Sequence, residues 1–515
     1  MGASTNKRIA KNGFLLYFRM LISMFIAFYS TRLVLANLGA EQYGLANVVA
    51  SVVSVFTMLQ WALSEAAFRF LNIELGKIEK GISENKNLRM IFSQVFFLFL
   101  FFCVLLLLIL ETGGYWFMNY KVSVPAQLKN SVFVFYQFSI FTCLVTMLSM
   151  PFSSIVIAYE CMDLYAGLTI ADYVIKLIVA FLLGFCGSCD RLMLYGGLLF
   201  IGSVLHTAGY VCICLWKFPV TKIEYSFSWN VAKQIARLFG WNIFGNVAGT
   251  VRSALVAVLL NNYTGALCNA AQAIAGQVSV AFSGLAKNYM IAVRPPMMKF
   301  WAVKNYNEFH LLVMRTSRLG FLFLFLLSIP ALVETDFILS IWLKTVPSFG
   351  VEFVRLNVFL VLIDAFSFPL MSASLATGRV ALYQSVVGGV LILQCPVAWF
   401  LLYCKLDPTS VLWAGIVLAI FSLVFRLLIL RKTAYLPVRR FCRTVLLPAV
   451  LVCLLSLPVP VLLSFFMKSG WLRLAFVCIA GWTWCIAMIA VFGMSKEERH
   501  GIFNLLRNRL QRKTV

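Results

Sequence analysis

The sequence predicts an all-α polytopic membrane protein of about fourteen transmembrane helices, and three observations carry that prediction. Of its 515 residues, 62% are hydrophobic and only 12% charged, with a mean hydropathy of +0.91. A soluble domain is about a quarter charged, and a fold in water could not hide this much apolar surface. Apolar runs of membrane-crossing length recur from one end of the chain to the other. Lysine and arginine are segregated into alternate connections between those runs.

A hydrocarbon core of about 30 Å takes roughly 20 apolar helical residues. By that measure spans fall near 13–37, 44–71, 90–111, 131–157, 164–186 and 191–216. A basic stretch follows, Lys217 to Arg237, and then eight more spans, near 238–261, 268–293, 316–334, 353–377, 380–403, 409–430, 445–466 and 471–494. The eighth is the most polar, rich in Ala, Gly and Ser, and the ninth is interrupted by Pro330 and Asp336. With the N-terminus inside, about 28 of the 43 Lys and Arg lie in cytoplasmic segments and about 7 in outer loops. An even number of spans with both termini cytoplasmic is the expectation. The longest connections run to about 20 residues, too short for an extramembrane catalytic domain.

Lys7, Arg8 and Lys11 precede a run too long for a signal h-region and lacking a small-residue cleavage site, so it reads as an uncleaved first span. Residues 495–515 alternate basic side chains with Ile502, Phe503, Leu506 and Leu510, the pattern of an amphipathic helix on the inner leaflet. The net charge of +24 lies mostly in short inter-span segments, where it orients the protein and meets anionic headgroups rather than nucleic acid. Most of the fourteen cysteines sit within apolar runs and pack as small hydrophobes. Cys186-Gly187-Ser188-Cys189 has metal or redox spacing, but no second pair or nearby histidine accompanies it. A loop disulfide and two ordinary thiols both fit; no metal and no cofactor are expected.

Spans one and two, Phe14 to Leu71, share an outline with spans seven and eight, Phe239 to Val293. Each first helix embeds an arginine (Arg32, Arg252), each pair turns at a short glycine-containing loop (Tyr43-Gly44-Leu45-Ala46-Asn47 and Thr264-Gly265-Ala266-Leu267-Cys268-Asn269), and each second helix ends in a basic stretch. The arginines differ in depth. The organisation this suggests is a six-helix lobe over 1–216, a linker over 217–237, a second six-helix lobe over 238–430, two further helices over 431–494, and the tail over 495–515.

A charge near the bilayer centre costs at least about 2.5–3.5 kcal/mol and therefore needs a partner, water or a ligand. Arg32, Arg69, Lys176, Arg252 and Lys287 are the cationic candidates for substrate binding. Glu65, Asp172 and Asp364 are the candidates for ion coupling. Asp172–Lys176 and Glu65–Arg69 are spaced i, i+4, so each pair could simply neutralise itself. Arg252 has no acidic residue within a turn. Asp364 also lacks a local partner, which leaves pairing across the bundle or proton carriage. His206 could relay protons or bond a carbonyl. Arg19, Arg355 and Arg426 lie toward helix ends and are expected to snorkel. The interior balance is cationic, which suits a phosphate- or pyrophosphate-bearing cargo.

Asn6-Lys7-Arg8-Ile9-Ala10-Lys11-Asn12 and Leu15-Leu16-Tyr17-Phe18-Arg19-Met20-Leu21 resemble the start of bacterial polysaccharide-export flippases. So do Leu38-Gly39-Ala40-Glu41-Gln42-Tyr43-Gly44, Arg69-Phe70-Leu71-Asn72-Ile73-Glu74-Leu75-Gly76-Lys77 and Gly240-Trp241-Asn242-Ile243-Phe244-Gly245-Asn246. These are the O-antigen or capsule repeat-unit flippases of the multidrug/oligosaccharidyl-lipid/polysaccharide exporter superfamily. The resemblance implies two six-helix lobes around a V-shaped central cavity, plus two C-terminal helices. It implies a cargo of undecaprenyl-pyrophosphate-linked oligosaccharide, carried across the bacterial inner membrane for lipopolysaccharide O-antigen or capsule, with glycan-assembly proteins as possible partners. Relatives line the cavity with basic residues from the first two helices of each lobe, the helices that here carry Arg32, Arg69, Arg252 and Lys287.

Alternating access is the mechanism this suggests. The chain has no Walker-type loop, which points to an ion gradient or the membrane potential as the energy source. An ion-coupled multidrug exporter of the same superfamily would favour an acidic cavity. A membrane-embedded glycan polymerase or glycosyltransferase would present a sizeable outer loop, and a non-transporting assembly subunit would have little use for embedded charge.

Overall fold

The computed structural model describes residues 3–116, 125–185, 190–224, 228–343, 346–494 and 498–499, and every regular element among them is helical. In a hydrocarbon solvent each backbone N–H and C=O needs a partner inside its own segment, and the helix supplies one. The chain is an all-α polytopic membrane protein.

The helices are α1 (Ala3–Ile78), α2 (Asn85–Gly114), α3 (Lys129–Ala158), α4 (Met162–Phe185), α5 (Arg191–Lys217), α6 (Trp229–Thr264) and α7 (Ala266–Ala302). They continue as α8 (Tyr306–Val333), a short α9 (Thr335–Trp342), α10 (Gly350–Thr377), α11 (Val380–Tyr403), α12 (Thr409–Thr433), α13 (Val438–Phe466) and α14 (Trp471–Gly493). Twelve are long and apolar enough to cross a membrane, the first being Lys11–Gly39 within α1. The arm of α1 beyond Gly39 and the 37-residue α7 are as long but more polar. Together these account for the expected number of about fourteen. The Cys186–Cys189 pair and nearly all of the basic tail lie outside the described residues.

The helices gather into two compact units, Met1–Asn246 with Ile291–Asn305, and Val247–Met290 with Tyr306–Val515. In the first unit α1 breaks at Gly39, whose φ of 78° and ψ of 164° are open only to a residue without Cβ. The two arms then run antiparallel. Val34 and Leu38 pack on Ala180 and Leu183 near the end of α4. Ala46, Val49 and Val53 pack on Val132, Phe135 and Tyr136 at the start of α3. The far ends of the arms come back together, Leu16 against Met162 and Ala292, and Gly76 against Lys299. The most extensive packing is α3 on α5 and α1 on α4 and α3. At the turn end Arg191 donates to the Asn37 carbonyl (2.7 Å) and Asn37 donates to the Ala180 carbonyl (3.0 Å), which ties the break in α1 to α4 and α5.

Gly265, at φ 87°, makes the corresponding turn between α6 and α7. The outline shared by spans one–two and seven–eight thus has a common backbone device. Its first copy is Gly39 rather than Gly44, which is helical.

The second unit is built on α10, which packs on α8 and α12, while α11 packs on α12 and α14 on α8 and α13. The most apolar window of α10 is 67% buried, the highest share of the twelve. The ninth span begins earlier than its apolar run: α8 starts at Tyr306, carries Pro330 without breaking, and is followed by α9, which contains Asp336. Glu334, fully buried between α8 and α9, accepts from Arg473 Nη2 and Nε of α14 (2.7 and 3.0 Å). Arg473 also donates to the carbonyls of Ser464 and Met467.

Gly39→Ala is expected to destabilise the protein by about 1–3 kcal/mol, the cost of a Cβ in that backbone region, whereas Gly44→Ala, in a helix with open space around it, should cost nothing measurable. Thermal unfolding of both variants in detergent checks this; equal midpoints would mean that Gly39 is not a required turn.

Candidate functional site

Embedded charge gathers in both units. In the second unit Arg252 sits on the line of α6 marked by Ala248 and Val256, both buried, so its guanidinium is directed into protein. Its Nη1 donates to Gln394 Oε1 of α11 at 3.0 Å. Gln394 is itself buried and fixed, because its Nε2 donates to the Val411 carbonyl of α12 (3.2 Å). Gly415 makes room for that amide: a Cβ there would lie 2.6 Å from Gln394 Nε2.

Asp364 lies midway along α10, where Val361, Leu362 and Ala365 are buried but its own side chain is 37% exposed. Arg426 Nη1 of α12 stands 4.0 Å from Asp364 Oδ1, and its guanidinium carbon is 5.9 Å from the centre of the Tyr383 ring of α11. Asp364 is within electrostatic reach of Arg426, then Arg252, then Lys287 on α7. Of the residues singled out in the sequence, Arg252 and the exposed Lys287 thus lie within electrostatic reach of Asp364. The pairing of Asp364 across the bundle is made by a residue the sequence placed elsewhere. Arg426 is 9% exposed and does not snorkel. Arg19 likewise is buried, over the Tyr165 ring at 5.1 Å, whereas Arg355 is exposed at the start of α10 and donates to Thr335 Oγ1 (3.1 Å).

In the first unit α4 presents Val174, Ile178, Phe181, Leu182 and Phe185 as an exposed apolar stripe. Asp172 and Lys176 lie on the opposite side of that helix, near buried Val179, Ala180 and Leu183, and pair at 2.7 Å. Lys176 nevertheless keeps 50% of its side chain exposed. A polar side chain open to solvent on the face away from the apolar stripe belongs to a hydrated inner surface. His206 of α5 packs edge-on against Tyr210 (5.1 Å) and is within reach of Asp172 and Lys176. Arg32 is exposed between Tyr29 and Leu35, and Arg69 stacks over Phe70 at 5.0 Å.

Glu65 is engaged by Arg294 of α7 at 2.9 Å, a partner its i, i+4 spacing to Arg69 did not suggest. One turn further along α7, Lys299 donates to Glu79 (2.7 Å) and to Glu160 in the α3–α4 connection (3.3 Å). The close crossing of α7 over α1 depends on Gly76, where a Cβ would come 2.8 Å from the Lys299 Cα. Beside this cluster Tyr159 is held above the usual tyrosine range, first by burial and then by Glu79 and Cys161.

The sequence missed Arg426, Gln394, Arg294 and Lys299. For Arg426 a signal existed: four apolar residues still separate it from Arg431-Lys432, the basic pair that marks the helix end. Gln394 is a lone amide in an apolar run. The pairing of Lys299 with Glu160 depends on folding alone. Among the described residues no group of three or more His, Cys, Asp or Glu could hold a metal ion, and the described cysteines are free thiols.

No protein-family model and no curated protein matches the chain. Its fold matches solved membrane transporters. The Vibrio cholerae MATE transporter VcmN in its bent form superposes with a TM-score of 0.69, covering 85% of this chain and 99% of that one at 14% identity. An outward-facing multidrug resistance MATE family transporter of the MOP superfamily gives 0.69, with 84% and 96% covered at 12% identity. A MOP superfamily transporter from Pyrococcus furiosus gives 0.67, with 84% and 96% covered at 13% identity. At these identities the likeness is one of fold.

Lys299→Met removes the ion pair to the buried Glu160 carboxylate (3.3 Å) and should cost about 3–5 kcal/mol. Adding Glu160→Gln should recover most of that loss. Tryptophan-monitored thermal unfolding in detergent reads both, and a double variant no more stable than the single one would remove the pair from the account.

Proposed function

We propose that this protein carries an undecaprenyl-pyrophosphate-linked oligosaccharide from the cytoplasmic to the outer leaflet of the bacterial inner membrane, for O-antigen or capsule synthesis. One observation carries the reading. The embedded group of the second unit sets Arg252 and Arg426, with the exposed Lys287 in electrostatic reach, against Asp364. Uncompensated cations in apolar helices are costly and are retained where an anionic ligand completes them. The exposed Arg32 of the first unit adds to the same sign.

The MATE-like fold supports alternating access, with the prenyl tail in lipid and the charged headgroup passing along the interior. Both termini lie in the cytoplasm in this reading, as the lysine and arginine distribution requires. Asp172, Glu65 and Asp364 remain the candidates for coupling to an ion gradient. Glycan-assembly proteins are the partners such a carrier would hand its cargo to. The chemistry of cargo assembly belongs to other proteins, because no connection here is large enough to house it.

A multidrug exporter is the nearest rival, since the outward-facing neighbour is a multidrug resistance transporter. A cationic interior repels organic cations, which counts against that rival. The Pyrococcus furiosus neighbour is described as having a binding pocket of reverse polarity that suggests a different function, so sign reversal on this fold has a parallel.

In proteoliposomes the protein should translocate a fluorescent undecaprenyl-pyrophosphate-linked sugar, with Arg252→Ala slower by roughly tenfold or more, a loss of about 1.4 kcal/mol in the rate-limiting step. In a deletion strain Arg252→Ala at normal expression should fail to restore surface glycan. Full rescue, or export of an organic cation with the glycan lipid untouched, would sink the proposal.

A further inference from the structure

The Asp364–Arg426 contact has the composition of a buried salt bridge without its geometry. At 4.0 Å it is too long for a hydrogen bond. The polar atoms around it are also incompletely used. Arg426 Nε is buried and makes no hydrogen bond, and neither does the Tyr383 hydroxyl, whose ring lies under the guanidinium. Ser422, one turn before Arg426 on the same face of α12, and Ser367, one turn after Asp364 on α10, have buried hydroxyls in the same condition. All but Asp364 are nine-tenths or more buried. Buried donors without partners cost free energy, and a fold satisfies nearly all of them. Unused donors on Arg426 itself, on Tyr383 beneath it, and one helical turn away on Ser422 and Ser367 are there for a polar occupant to meet.

The sign of that occupant follows from its neighbours. Arg426, Arg252 and Lys287 are the cations within electrostatic reach of Asp364. A cation would be repelled by three like charges. An anion with several acceptor oxygens would take Arg426 Nε and the hydroxyls together, and guanidinium forks suit phosphate oxygens. Beside the buried Arg426, Tyr383, Ser422 and Ser367, Asp364 is open, so it marks the way in.

We infer that Arg426, with Tyr383, Ser422 and Ser367, forms a phosphate-oxygen site in the second unit, and that Asp364 is its internal counter-ion, displaced when the anionic group binds. The inference rests on the anionic-cargo reading above and adds two things to it. It gives Arg426 direct contact with the ligand, and it makes Asp364 a competitor of the ligand rather than a contributor to its binding. Gln394 holds Arg252 in place, so Arg252 attracts the anion while Arg426 exchanges partners.

Titration of the purified, detergent-solubilised protein with inorganic pyrophosphate and with farnesyl pyrophosphate tests the exchange. Asp364→Asn should bind about tenfold more tightly than the unaltered chain, within the usual range of coupling between competing sites. Arg426→Gln should bind at least about tenfold more weakly, and Asp364→Asn should confer no gain in its background. Tighter binding of both probes assigns the site to the diphosphate itself; a gain for the farnesyl form alone assigns it to the lipid-linked group. Unchanged or weaker binding by Asp364→Asn overturns the exchange, and if Arg252→Ala still slows transport the cargo reading stands without it. No binding of either probe by any variant overturns both. Should Arg426→Gln fail to fold, Tyr383→Phe and Arg426→Lys are the replacements, expected to weaken binding while leaving the unfolding midpoint within a few degrees.

Discussion

Hydrocarbon offers no hydrogen bonds, and this constraint decides most of the structure. It makes every described element a helix, since only the helix satisfies its own backbone within one segment. It then acts on side chains. Hydroxyls along the spans return their protons to the preceding turn, as Ser139 does to the Phe135 carbonyl and Thr146 to the Thr142 carbonyl. Longer groups bridge helices, as Gln60 of α1 does to the Cys143 carbonyl of α3. Charges follow the same rule in the Glu334–Arg473 pair, where a fully buried carboxylate meets a guanidinium that also reaches two carbonyls. Arg426 Nε and the hydroxyls near it are among the buried polar atoms that this rule leaves without a partner.

A second constraint is steric and falls on a few glycines. Gly39 and Gly265 allow a long helical stretch to turn with almost no loop. Gly76 permits α7 to cross α1 closely enough for Lys299 to reach Glu79 and Glu160. Only Gly415 leaves space for the Gln394 amide that fixes Arg252. In each case a missing Cβ sets a distance, and the distance sets which polar groups can meet. The last twelve residues of α7 belong with α1–α5, whereas its earlier residues pack with α8–α14. The ion pairs of Arg294 and Lys299 are therefore a restraint on any rearrangement of α7.

The helices were legible because their signal is summed over about twenty residues and survives single polar interruptions, as Pro330 within α8 shows. The turn at Gly39 was not, because nothing local distinguishes it from Gly44; only the backbone angle does. Among the charges, Asp172–Lys176 could be read from spacing, since both partners share a helix. Glu65 could not, for its partner Arg294 is more than two hundred residues away. Arg426 was misplaced by treating nearness to a helix end as equivalent to reach. Two turns separate it from the end of α12, and buried neighbours such as Leu423, Leu427 and Ile429 leave its side chain no route to the headgroups.

The function reading then turns on sign rather than on architecture, because a fold of this kind hosts more than one cargo. A helical scaffold in lipid charges roughly the same cost for embedding an arginine as for embedding an aspartate. The cost is tolerable only while an opposite charge is available, either from the protein or from the ligand. In the first unit the protein supplies it: Glu65 answers Arg294, Glu79 and Glu160 answer Lys299, and Asp172 answers Lys176. In the second unit Glu334 answers Arg473, while Asp364 stands loosely against Arg426 with Arg252 and the exposed Lys287 in electrostatic reach. On the proposed reading an anionic cargo meets that excess, and a carrier benefits because the cargo that fills the deficit is the one it holds. The same deficit explains why Asp364 should hold Arg426 loosely: a tight pair would close the site to its ligand, and no pair at all would leave a bare guanidinium among buried side chains.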